Sequence, residues 1–271
     1  MMCLRMSRRC LWAALVICVG VPGTALAAHS LPEVGRCVKV TVGTGTYTTA
    51  NCLTVATTES GKKFEWIPAS AAEKHAFSGT SVETTLTTAG RPTISCLAAN
   101  ISGEWTGAKT ASVTTEFQGC TTSTGVQCQS NPQNKSEIKT LPDEGELGFI
   151  KHEEVEGKLI IVVGLDLRPT PPLTELATYE CTGSNEMAHL EGSVIGKVKP
   201  FDKMTTELNL AITATKAGVQ VPEQFAGGPK DTLTTSLTSG IETFGPFASS
   251  LNVKSETGKD AEPLEIKAKE K

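Results

Sequence analysis

The chain has 271 residues and a formal net charge of −4, with 39% hydrophobic and 20% charged residues. That is the makeup of a globular protein able to bury the core of one large or two small domains. Acids outnumber bases, so the basic face that a general nucleic-acid binder needs is missing and that class is excluded.

The first thirty residues read as an export leader. Arg5, Arg8 and Arg9 precede an apolar run from Leu11 to Val21, Pro22 and Gly23 end it, and Ala25-Leu26-Ala27 has the small-x-small form of a signal-peptidase site. The run is shorter than the roughly 20 residues of a membrane helix, and no second run follows, so no transmembrane anchor is expected. The expectation is a signal peptide over 1–27 and a secreted, extracellular protein, cleaved near Ala27. Without the three leader arginines the mature charge is about −7.

The chain has 37 threonines, many of which alternate with apolar residues downstream of the leader, a pattern that suits half-buried strands better than helices. In chain order the predicted strands are "CVKVTV" (37–42), "SVETTLTT" (81–88), "ASVTTEF" (111–117), "KLIIVVGLDL" (158–167), "TELNLAITAT" (206–215), "DTLTTSL" (231–237) and "PLEIKA" (263–268). Gly and Pro clusters punctuate them at about ten-residue intervals, the spacing of an all-β sandwich or barrel. Between them, "ASAAEKHAF" (69–77) offers one helical turn at most. The fold class expected is all-β, an antiparallel sandwich. Two polar, proline-containing stretches, 129–146 and 166–175, suggest two β lobes, 28–135 and 136–262, followed by a last strand and a fraying charged tail over 263–271. A single sandwich remains the alternative.

Three of the nine cysteines fall in the leader, which leaves Cys37, Cys52, Cys96, Cys120, Cys128 and Cys181. An even number in an exported chain reads as a disulfide framework. A structural zinc site would want close cysteine pairs or histidines at ligand spacing, and His75, His152 and His189 are scattered. Sequence proximity favours Cys37–Cys52, Cys120–Cys128 and a long-range Cys96–Cys181. The open alternative pairs Cys96 with Cys120 and Cys128 with Cys181.

Catalytic motifs fail one by one. "GSVIG" (192–196) has the glycines of a nucleophile elbow but the wrong serine position, and reads as a strand with a bend. S-x-x-K occurs at Ser60–Lys63 and Ser136–Lys139 in polar turns without partner motifs. "HEEVE" lacks the second histidine of a zinc protease, and no phosphate-cradling loop occurs. The acids Asp143, Glu144, Glu146, Glu153, Glu154 and Glu156 could supply the carboxyl pair of a glycosidase, but read more simply as a solvated charged loop. They lack the ligand spacing of a calcium loop. Two rings are candidates for stacking on a sugar: Trp105, flanked by Gly103 and Gly107, and Trp66 in "KKFEWIPA".

In this order, the blocks "LPEVGRCVKV", "GTYTTANC", "FEWIPA", "FQGC", "GELGFI", "VGLDLRP", "GSVIG" and "FAGGPKDTL" resemble secreted proteins of soil actinobacteria. The resemblance implies export and carries no activity, cofactor or site residue. The leading expectation is therefore a secreted, disulfide-stapled, non-catalytic protein that binds a cell-envelope glycan or another surface protein. The alternatives are a secreted hydrolase using acids within 143–156 and a ligand-free envelope component. No cofactor is expected, and the oligomeric state is left open.

Overall fold

A computed structural model describes residues 31–214 and 221–269, with the backbone alone for 254–257. The expected signal peptide lies outside the described residues. The chain enters through β1 (Glu33–Lys39), β2 (Phe64–Pro68), β3 (His75–Thr88), β4 (Ile94–Trp105) and β5 (Thr110–Gln118). Three short strands follow: β6 (Thr121–Thr122), β7 (Cys128–Gln129) and β8 (Glu137–Lys139). Next come β9 (Asp143–Val155), β10 (Lys158–Pro169), β11 (Glu175–Cys181) and β12 (Met187–Gly192). The last four are β13 (Val194–Lys199), β14 (Thr205–Ile212), β15 (Leu233–Ser239) and the 26-residue β16 (Glu242–Lys267). A 3-10 turn at Glu59–Gly61 is the one helical element among the described residues. The turn expected over 69–77 is not helical, and Glu73 N donates to Ser70 O within it.

The strands run antiparallel in the order β14-β13-β10-β9-β5-β4-β3-β16, and β16 pairs again with β14, which closes an eight-strand barrel. The expected open sandwich is thus corrected to a barrel, because a final strand long enough to reach β14 as well as β3 removes both free edges. The first part of β16 pairs with β15, which continues through β12 and β11 to β7 in a smaller second sheet. Strands from both sides of the 135/136 division share the one barrel, with β5, β4 and β3 set between β9 and β16, and β5 pairs with both β8 and β9. That division therefore does not separate two β units.

Threonine-rich alternation produces the walls. In β5 the residues Ala111, Val113 and Thr115 point inward, and in β9 Asp143, Gly145 and Leu147 do so, since successive side chains of a strand face opposite ways. The charged stretch over 143–156, expected as a loop, is β9 and its turn. Val155 pairs with Lys158, and Glu156 and Gly157 between them both have positive φ, 52° and 74°. That is the two-residue hairpin turn whose twist matches the strands. The last strand expected over 263–268 is the end of β16: Leu264, Glu265, Ile266 and Lys267 are buried, and the last three pair with β1.

The disulfides are Cys37–Cys52, Cys96–Cys120 and Cys128–Cys181. The first agrees with the favoured set, and the other two belong to the alternative. Register explains the correction. Thr121 and Thr122 pair with Ser95 and Ile94, which sets Cys120 beside Cys96 with their Cα atoms 4.0 Å apart. Cys128 pairs directly with Cys181, also at 4.0 Å. The short loop between Cys120 and Cys128 is closed by a backbone bond instead, Cys128 N to Cys120 O at 3.0 Å.

This pairing has a direct test in thiol titration of the denatured, unreduced protein without residues 1–27 and their three cysteines. The Cys96→Ser/Cys120→Ser variant should show no free thiol. Cys120→Ser/Cys128→Ser should leave two, where the favoured set would have left none. Losing Cys128–Cys181, which closes a separation of 53 residues, should lower stability by about 4 kcal/mol.

Candidate functional site

Eight strands enclose an interior just wide enough for side chains or one small ligand. The barrel core is apolar, with Trp105, Val113, Leu147, Leu165 and Val253 among its buried residues. A second apolar cluster, including Leu86, Leu176, Tyr179, Leu190 and Leu233, lies where the smaller sheet packs over β3, β4 and β8. The two clusters are joined by one cavity of about 100 Å3, lined at one end by Trp105 and Leu208 and at the other by Tyr179 and Leu233. Its reach from the barrel to the space beneath the smaller sheet suits a slender, apolar occupant.

Few polar groups meet this cavity, and they differ in how well they are satisfied. The Tyr179 hydroxyl bonds to Thr88 and Thr235, while burial pushes its pKa up to about 12. Those two threonines and Ser249 form a closed hydroxyl triangle, with separations of 3.2, 3.0 and 2.7 Å. Ser81 and Thr84 face each other at 3.2 Å. Asp143 stands apart. Its residue is 3% exposed, it lines the cavity, and its Oδ1 has no hydrogen-bond partner. The other side of the carboxyl is oriented. Thr115 N donates to Thr140 Oγ1 at 3.0 Å, which leaves the Thr140 hydroxyl proton to go to Asp143. Burial pushes this carboxyl up to about 8, against the smaller opposing effect of the Thr140 bond, so at neutral pH it is mostly protonated.

The residues expected to matter from sequence are dispersed. Trp105 is 1% exposed, and its Nε1 donates to Asp260 Oδ1 at 3.1 Å. Trp66 is 7% exposed and donates to Glu33 Oε1. Neither ring offers an outer face for a sugar. The acids of 143–156 are split by strand alternation. Asp143 faces in, whereas Glu144 and Glu146 face out toward Arg168, at 3.6 and 2.6 Å. Glu153, Glu154 and Glu156 are exposed near the hairpin tip. Asp143 was readable only as one acid among six. The period-2 pattern of "DEGEL", with Asp, Gly and Leu on one face, is the signal that singles it out.

Other buried titratable groups lie away from the cavity's acid. Lys267 donates to the Tyr47 hydroxyl at 2.7 Å and lies over the rings of Tyr47 and Trp66. Burial raises Asp260 to about 6. Glu265 reaches about 7 through burial and, secondarily, the nearby charge of Asp202. Outside the barrel wall, Asp231 accepts from Ile195 N and Glu223 N, both at 2.8 Å, and so pins the 221–232 segment across β9 and β13. There Phe225 packs on Gly148, where a Cβ would collide with the ring. Among the described residues, no group of three or more His, Cys, Asp and Glu is placed to hold a metal ion, and no helix is long and apolar enough to cross a membrane. No protein-family model, curated protein or solved structure matches the chain.

The raised carboxyls give stability a definite pH dependence. Asp143 keeps its proton in the fold up to about pH 8 but ionises near 4 in the unfolded chain. Between those values the folded state binds more protons, so stability falls as pH rises and levels off above pH 8. Asp166 and Asp260, near 6, and Glu265, near 7, act in the same direction over lower windows. Urea denaturation should therefore give a midpoint that is highest near pH 4 and falls toward pH 8. Asp143→Asn should gain on the parent protein by up to about 1.4 kcal/mol per pH unit between pH 5 and 8. Parallel curves for the two proteins would mean that Asp143 ionises normally.

Proposed function

We propose that the protein is an exported, non-catalytic binding protein that takes a slender apolar molecule into its barrel. The observation carrying this reading is the cavity of about 100 Å3 that joins the two apolar clusters. Apolar cavities of roughly 150 Å3 admit benzene, and each Å2 of apolar surface withdrawn from water contributes about 25 cal/mol. Export is supported by the basic-apolar leader and is compatible with three disulfides, which persist in oxidising compartments. The binding surface lies inside the barrel, because the two tryptophans proposed for glycan stacking are themselves core residues.

Purified, oxidised protein titrated with benzene should show saturable 1:1 binding and a raised thermal midpoint, because a ligand of the native state stabilises it by mass action. Ala99 lines the cavity. Ala99→Leu should fill the space and weaken benzene binding at least tenfold, with an overpacking cost of about 1–3 kcal/mol. Absence of binding in the parent protein, under conditions where it is folded, would overturn the reading.

A further inference from the structure

We propose that Asp143 selects the head group of the lumen's ligand, and that the ligand is a slender aliphatic alcohol carrying a single uncharged hydroxyl. The proposal rests on the barrel lumen being a binding site. Within that lumen, Asp143 Oδ1 is the side-chain oxygen that is buried, faces the cavity and lacks a partner. A buried polar atom left unpaired carries a desolvation penalty that one hydrogen bond from a ligand would remove.

The rest of the lining narrows the chemistry. Among the described residues around the cavity there is no Lys, Arg or His, so a fatty carboxylate would find no counter-charge and would meet a second carboxyl. An alkylammonium would have to leave water for a largely apolar lumen with one carboxyl and a few hydroxyls to solvate it, a desolvation that an ion pair seldom repays. A neutral hydroxyl avoids both penalties. It can donate to Oδ1 when that atom is an acceptor, and accept from it when it carries the proton. The Thr140 hydroxyl, whose oxygen is held by Thr115 N, bonds to the same carboxyl and so orients it before a ligand arrives. The apolar body then extends along the cavity past Val113 and Leu165 toward Leu190 and Leu233.

The test uses the oxidised protein at pH 6.5, with benzene as a reporter of cavity access. Its competitors are 1-octanol, 1-chlorooctane, octanoate and octylamine. The expected result is that 1-octanol displaces benzene at least about tenfold more tightly than the chloride, the carboxylate or the amine. Asp143→Leu should erase the preference for octanol over the chloride while benzene still enters. Asp143→Asn, which keeps a hydrogen-bonding group of the same shape, should retain that preference within about threefold and serves if the leucine variant does not fold. If benzene enters but octanol and the chloride compete equally, the head-group proposal is overturned and the lumen reading stands. Tightest binding by octylamine or octanoate would also overturn it. If benzene does not enter the folded parent protein, both readings fall together.

Discussion

Barrel closure depends on one strand satisfying two neighbours along its length. Over 26 residues β16 pairs first with β15, then with β3 on one side and β14 on the other, and finally with β1. An unpaired sheet edge exposes a row of backbone donors and acceptors, and β16 removes that exposure by joining the first and last walls of the barrel. It also carries the smaller sheet on its N-terminal part and the β1–β2 pair on its C-terminal part. Both apolar clusters form because this strand holds their walls in place.

Closure also sets the character of the interior. Once strands cannot slip, every inward position is assigned, and a one-residue shift would turn an entire apolar set outward. Most inward positions carry aliphatic or aromatic side chains, and the hydroxyls of Thr88, Thr235 and Ser249 satisfy one another. Asp143 departs from that economy. A carboxyl at this position costs stability in the ionised state, and at neutral pH burial holds it mostly protonated. An apolar residue of similar size would pack there without that penalty, so the lone acid is the least expected residue in the lumen and its best marker of function.

The disulfides reinforce the parts that barrel closure reaches least. Cys128–Cys181 ties the two-residue β7 to β11 at the margin of the smaller sheet, where few backbone bonds hold. Cys96–Cys120 secures the chain as it leaves β5 and turns toward β6. Cys37–Cys52 closes the long excursion between β1 and β2 around the buried Tyr47, whose hydroxyl receives the Lys267 ammonium. Each has one end on a short or irregular segment, at Cys52, Cys120 and Cys128, where few local contacts hold the chain.

Much of the wall was legible in the sequence. Threonine-apolar alternation located all or part of β1, β3, β5, β10, β14, β15 and β16, because a two-residue period is a local property of a strand with one buried face. The same rule failed for β9, where "GELGFIKHEEV" mixes inward glycine and leucine with acids that face solvent or Arg168. At 263–268 it located the strand but not the burial of its charged residues Glu265 and Lys267, the second of which lies over the rings of Tyr47 and Trp66. Cysteine number implied three bonds, but which cysteines meet is a matter of register between strands distant in sequence. Closure of the barrel, the burial of Trp105 and Trp66, and the isolation of Asp143 from the five acids that follow it were likewise decided only in the tertiary structure. Local pattern determines that a segment is a strand and which of its residues share a face. Which face becomes the lumen depends on non-local pairing, above all the return of β16 to β14.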